Sequence, residues 1–496
     1  DLPILEWIRT NIWCEAMDVA MPIVTTFGDG GIFWIAISVI LFLIPKTRKT
    51  GLGMAIAMVI GVVIGSGVFI KGGKVLSLTN GNMWQAIAVI GIVGLICIIC
   101  SLVFATLGSR YEKVNGVVDY ADAMIGEKYG YIIGWFLSTI YYPTLTMALA
   151  WLSARYTLVV IYGSEADITG GFCFALTAFY LIGSFALNSL SPIISGKFQV
   201  STTFVKLVPL VLMAIVGTIY GLTKGHTIEN FTTVVNEIPT STAIFKAVCA
   251  TCFAYEGWII ATSINAEIKD AKRNLPIALV LGSVVVVATY ILYYIGLAGA
   301  ADNLVMLAGG ETGAKIAFSN VFGTVGGSLL MVFVVISCLG TENGLVLAVS
   351  RGMYALAARN EGPKPEVFAE VDRHTGMPTN SAVFGLFISM AWLVYFFGAN
   401  LAPTPWFGFF CFDSSELPIV TLYAMYLPIF INLIRKEKDF SAFNRYVAPT
   451  LAILCSVFMV YAAFASHGVR AVCGYLVVYT VIMFIGIFFM GKKKAE

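Results

Sequence analysis

AMVIGVVIGSGVFI, residues 57–70, places Gly61, Gly65, Ser66 and Gly67 inside an apolar run from about Leu52 to Ile70. A second run, CATCFAYEGWIIATSINAEIKD, residues 249–270, holds Glu256 beside Gly257. A helix that stops within a bilayer leaves backbone N–H and C=O groups unpaired. That is tolerated only where protein or a polar cavity covers them. Two such breaks at matching places in two halves of a chain point to a substrate site between repeats.

The surrounding chain is built for lipid. Of its 496 residues, 59% are hydrophobic and 12% charged, against about 25% charged in ordinary soluble domains. Apolar spans are expected near 31–45, 52–72, 84–107, 131–160, 171–190, 199–222, 244–267, 276–299, 325–357, 381–398, 406–434, 446–465 and 470–490. About 20 residues suffice to cross, so the first is marginal and the other twelve are long enough.

Lys and Arg fall into alternating loops. One set, from Lys46, Arg48 and Lys49 through Lys269, Lys272 and Arg273 to Lys492–Lys494, holds 21 residues; the opposite set holds Lys71, Lys74, Arg155, Lys224, Lys246, Lys315 and Arg470, only seven. The positive-inside rule puts the larger set, with the C-terminus, in the cytoplasm.

Spans one to five (52–222) and six to ten (244–434) are equal in number. Five crossings reverse the direction of the chain, so the second unit repeats the first upside down. The first member of each five is the broken one. Residues 446–490 add two helices. The fold class expected is an all-α integral membrane protein of two inverted five-helix repeats, with twelve spans in all and an extra N-terminal hydrophobic segment.

In span one, a helix restarting after Gly65 would present the N–H groups of Ser66 and Gly67 at a new N-terminus, a ready anion site. The competing reading is a small-residue packing face, which Gly61 and Gly65 also fit. In span six, a half-helix ending near Phe253–Tyr255 would leave carbonyls free for an ammonium group. Phe253 could lid the site or simply pack. Glu256, a carboxylate at mid-span, marks a functional or cavity-facing position by default, or its side chain reaches water. Lys206 in span five lies seven residues beyond Gln199, roughly 10 Å in from the cytoplasmic end. It either snorkels back or presses its ammonium against span one. Tyr141-Tyr142-Pro143 could line the cavity or kink span three.

Other residue types are less eloquent. Cys97/Cys100 and Cys249/Cys252 have metal-like spacing but lie in apolar helical runs, where thiols pack as small hydrophobes. His226, His374 and His467 read as loop residues, most simply solvated. The chain offers no histidine-based catalytic centre.

Residues 1–50 differ from the rest. ILEWIRTNIWCEAMDVAMPIVTTFGDGGIFWIAISVILFLIPKTRKTG, residues 4–51, resembles the start of a type 2 phosphatidic-acid-phosphatase-like membrane enzyme. The downstream histidine and arginine motifs that such chemistry needs do not follow. The segment also lacks the basic n-region and cleavage site of a signal peptide. It reads as an appended piece with one short hydrophobic helix.

Beyond it, three ordered motifs carry a second resemblance. GSGVF (65–69), FAYEGWIIATSINAEIKDAKRNLPIA (253–278) and LGTENGLVLAVSRGMYALAARNEGPKP (339–365) resemble spans one, six and eight of the amino acid–polyamine–organocation (APC) superfamily. The branch is that of the L-type transporters and serine/threonine exchangers, and the likeness covers about 51–490. It implies a leucine-transporter-type fold working by alternating access. It assigns substrate binding to Val63, Gly65, Ser66, Gly67, Phe253, Ala254, Glu256 and Gly257. Ser66 and Gly67, with the Val63 carbonyl, would take the carboxylate; the carbonyls of Phe253, Ala254 and Glu256 would take the amino group. Phe253 would be the gate, and Lys206 would stand where sodium-coupled relatives bind an ion. Where the branch commonly has a small or Asp residue, this chain has Glu256.

The resulting expectation is a sodium-independent secondary amino acid transporter of the cell membrane, either exchanger or proton-coupled symporter, with no cofactor. Its partners would be an amino acid and the lipid bilayer, with no nucleic acid and no obligate protein. The competing classes are a lipid phosphatase and a non-transporting amino acid sensor.

Overall fold

The computed structural model describes residues 52–65, 67–111, 115–163, 166–232, 240–259, 262, 270–309 and 313–490. The expectations placed on residues 1–51 and on Ser66 lie outside these. Among the described residues every regular element is helical.

Span one is Leu52–Val63, a break, then Gly67–Leu78. Spans two to five are Met83–Arg110, Glu127–Tyr162, Gly171–Leu190 and Pro192–Lys224. Span six begins as Ser241–Tyr255, and span seven is Ala271–Ala300. Spans eight to ten lie within Gly313–Ala357, Thr379–Leu401 and Leu417–Lys436. Phe443–Phe488 divides at Gly468 into spans eleven and twelve. Nine of these runs are continuous, apolar and long enough to cross a membrane; dividing the last and adding the two interrupted spans gives twelve crossings.

Local chemistry sets several ends. Asn82 accepts from Gln85 N at 3.1 Å and caps span two, while Thr240 accepts from Ala243 N at 3.2 Å and caps span six. Each side chain satisfies a donor that the first helical turn leaves free. Pro192 opens span five, where its missing N–H costs nothing.

Packing repeats with an offset of five. Span one's second half lies on span six, two on seven, three on eight and four on nine, as two related five-helix units would pack. Span three is central: 67% of its apolar window is buried, against 28% for span four. Span four accordingly turns Phe172, Phe179, Ile182 and Leu190 outward, where acyl chains are as apolar as they are.

Some boundaries depart from the sequence reading. The run 406–434 starts as a helix only at Leu417, because Trp406–Phe412 is apolar but bends around Pro403, Pro405 and Gly408. Ahead of span eight lies a short helix from Gly313, parted from it by the non-helical backbone of Gly323 (φ 73°, ψ 173°), so the crossing itself starts beyond Gly323, close to the expected 325. Four spans carry five-residue π-helical turns, Leu137–Tyr141, Met213–Gly217, Phe397–Leu401 and Phe443–Val447. Such turns recur near functional sites because they rotate the side chains that follow.

Candidate functional site

Both interruptions exist, and they meet. The first half of span one ends at Val63; Ile64 N still bonds Ile60 O at 2.8 Å, and the helix resumes at Gly67. Span six stops at Tyr255. Glu256 is extended at φ −70°, ψ 155°, and Gly257 turns the chain at φ +109°, which any Cβ-bearing residue resists. A Cβ placed on Gly67 would lie 2.5 Å from Ala254 Cα. Only hydrogen at position 67 lets the two backbones approach this closely.

Tyr290 of span seven ties the breaks together. Its hydroxyl lies 2.9 Å from the Ala254 carbonyl and 3.4 Å from that of Val63, both acceptors for the one proton. The two carbonyls assigned from sequence to opposite ends of a ligand therefore share one donor. A void of only about 10 Å³ lies beside them, lined by Gly67, Lys71, Thr251, Ala254, Tyr290 and Tyr294 among others. Phe253 is buried, and the Lys71 ammonium stands 5.1 Å from its ring centroid, within cation–π range.

Glu256 is half-buried, and Tyr141 of span three donates its hydroxyl to Oε1. Tyr141 is the last residue of a π-helical turn, which directs it at the break in span six. Lys206 is fully buried and donates to Gly61 O at 2.5 Å. Its ammonium thus sits on a last-turn carbonyl of span one's first half, rather than at the cytoplasmic surface. The structure brings Val63, Gly65, Gly67, Phe253, Ala254, Glu256, Gly257 and Lys206 around one pair of breaks; Ser66 lies outside the described residues.

A profile of the amino acid permease family matches residues 51–488. The chain belongs to the amino acid permease family. The chain is 27% identical over 413 residues to the serine/threonine exchanger SteT of Bacillus subtilis (strain 168), covering 82% of this chain and 88% of that protein. It is 27% identical over 437 residues to the human b(0,+)-type amino acid transporter 1, covering 85% and 84%. With the human cystine/glutamate transporter it shares 27% over 338 residues, 67% of this chain and 65% of that one. An amino acid permease of this kind is a multi-pass membrane protein, as the twelve spans require.

Three features of this permease escaped the sequence reading. Tyr290 is one; its signal was a phenol in an apolar helix, where the O–H needs a partner. The second is Glu416, 2% exposed at the N-terminal end of span ten. It binds Lys71 at 2.9 Å and Lys74 at 3.2 Å, and His467 approaches its other oxygen at 3.4 Å. His467 is thus a half-buried neighbour of this carboxylate, not a solvated loop residue; the break at Gly468 folds it back onto span ten. The third is Glu342, fully buried in span eight.

The opposite face is held by different charges. Arg359, after span eight, pairs with Asp119 and, at 2.9 Å, with Asp122 on a short helix, Val117–Met124. Arg110 binds Glu437 at 2.7 Å, and Tyr111 donates to the same carboxylate at 2.5 Å. Burial, and then that bond to Glu437, push the Tyr111 phenol up to about 12, so it remains a donor at any physiological pH. Cys97, Cys100, Cys249 and Cys252 are buried. Cys252 packs its sulfur 3.7 Å from that of Met459, and no cluster of metal-binding side chains occurs among the described residues.

Proposed function

We propose that this permease is a sodium-independent secondary transporter of amino acids in the cell membrane, with its C-terminus in the cytoplasm. The observation that carries the site is the contact of Gly67 with Ala254 under the hydroxyl of Tyr290. An α-amino acid presents a carboxylate and an ammonium a few ångströms apart. A helix N-terminus at Ser66 and Gly67 suits the first; the terminal carbonyls of Phe253, Ala254 and Glu256 suit the second. Gly65 and Gly257 give the backbone its freedom at the two breaks, and Phe253 gates the site from the outside. Binding must then separate the paired halves and take the place of the Tyr290 bridge.

Lys206 supplies a tethered positive charge beneath span one, in place of a dissolved cation. Glu256 puts a carboxylate beside the space left for the substrate's side chain. This favours amino acids whose side chains carry a positive charge or a hydrogen-bond donor.

Counterflow in proteoliposomes tests the reading. Vesicles loaded with a mixture of the twenty L-amino acids should take up external tritiated mixture equally well in sodium and in choline. Binding without counterflow would establish a sensor instead, and release of inorganic phosphate from phosphatidate would establish an enzyme.

A further inference from the structure

Span eight presents three neighbouring side chains to three different surroundings. Thr341 abuts the break in span one, 3.2 Å from where a Gly65 Cβ would lie. Asn343 joins a fully bonded polar knot at the turn between spans four and five. It accepts from Asn188 Nδ2 at 2.9 Å and Ser195 Oγ at 3.1 Å, and donates to Gln199 Oε1 at 3.2 Å. Glu342 lies between them in sequence and faces elsewhere.

Its direction follows from helical geometry. Val349, seven residues on and so on the same side, fills the notch left by Gly385 of span nine, beside the ring of Phe185 in span four. Glu342 therefore points between spans four and nine. It is fully buried, and neither carboxyl oxygen makes a hydrogen bond of normal geometry. Among the described residues, the hydroxyl of Ser184 is the only side-chain group that acts on it. Ser389, one turn from Gly385 on the same face of span nine, is also fully buried with its hydroxyl unpaired.

Among the described residues no charged neighbour compensates the acid. Arg155 of span three, Tyr180 of span four, Lys206 of span five, Tyr290 of span seven and Tyr395 of span nine belong to the elements packed around it. None of them acts on Glu342, and the Lys206 cation is engaged by Gly61. An acid so placed is stable as the neutral O–H form and expensive as an anion at bilayer depth. The chain nevertheless keeps an ionisable group there, one residue from the contact with the moving break.

We infer that Glu342 is the proton-coupling residue of this permease, which makes the carrier a proton–amino acid symporter. This rests on the amino acid transport proposed above. When span one leaves Thr341, span eight shifts against spans four and nine and water reaches the carboxyl; the O–H bond breaks and the proton passes to water on that side. The resulting carboxylate takes a proton from water on the opposite side before the site closes again. One proton crosses with each amino acid.

The test uses the full chain in proteoliposomes, with the tritiated mixture of L-amino acids as probe and the membrane potential clamped at zero. A gradient of one pH unit, acid outside, should drive about tenfold accumulation, because one co-transported proton carries one decade of free energy. A pH dye inside should report acidification that depends on added amino acid. Glu342→Gln should keep counterflow without a gradient but lose both accumulation and acidification, and Glu342→Asp should keep them. A wild-type protein that exchanges amino acids and moves no proton overturns the inference, whatever the variants do. So does a Glu342→Gln protein that accumulates as wild type. Failure of wild-type counterflow itself would refute the transport reading, a separate result.

Discussion

Tyr290 holds the end of one interrupted helix beside the end of the other: its hydroxyl lies 2.9 Å from the Ala254 carbonyl and 3.4 Å from that of Val63. The residues are 36 and 227 positions apart in the chain. Replacing it by Phe removes one donor and little volume. A buried hydrogen bond is worth about 1 kcal/mol net, so Tyr290→Phe should lower stability modestly and leave insertion intact. Thermal unfolding in detergent should show a shift of a few degrees. The apparent substrate affinity should rise, because the ligand no longer displaces the phenol.

Gly67→Val should abolish counterflow. Its Cβ would fall 2.5 Å from a backbone carbon, Ala254 Cα, which cannot rotate away as a side-chain tip can. Overpacking of this kind costs about 1–3 kcal/mol, so the protein should still reach the membrane. Surface labelling with retained uptake would show that the approach is dispensable.

Lys206→Ala should cut transport at least tenfold with modest change in insertion. Its ammonium is the only side-chain donor recorded on Gly61 O among the described residues. Removing it frees that carbonyl and takes away the charge beneath span one. Sodium-stimulated uptake by the variant, absent from wild type, would show that a dissolved cation can occupy the vacated place; a wild-type rate would show that the contact is only structural.

Glu256→Gln should change preference more than rate. Tyr141 can still donate to the amide oxygen, so the geometry of the break should survive. A charge-assisted contact is worth about 1.5–3 kcal/mol, so competition by lysine and arginine against a neutral probe should weaken by about tenfold or more. Unchanged competition would place the carboxylate away from the substrate.

The broken helices were readable because their chemistry is local: Gly65, Gly67 and Gly257 are the residues that a stop and restart require. The partners that join the breaks were not readable, because nothing in VVVVATYILYYIGL says which tyrosine faces inward. The twelve crossings followed from length and hydropathy. The start of span ten did not, since Trp406–Phe412 is as apolar as a helix and only Gly408 and the preceding Pro403 and Pro405 argue otherwise. Glu342 stands in view in LGTENG, but a lone acid in a sequence does not show whether its carboxyl finds a partner. His467 was misplaced because a histidine between two apolar runs looks like a loop until Gly468 is seen to fold it back onto Glu416.

The bare hydrogen at Gly67 has a further consequence. With no gap between the rods, an unloaded carrier is a shut one, and cargo must act as its own wedge. Elongated or branched guests would meet resistance from main chain, which has no rotamers to yield. Discrimination by bulk would thus appear in how fast a guest enters, before its side chain meets any pocket at all.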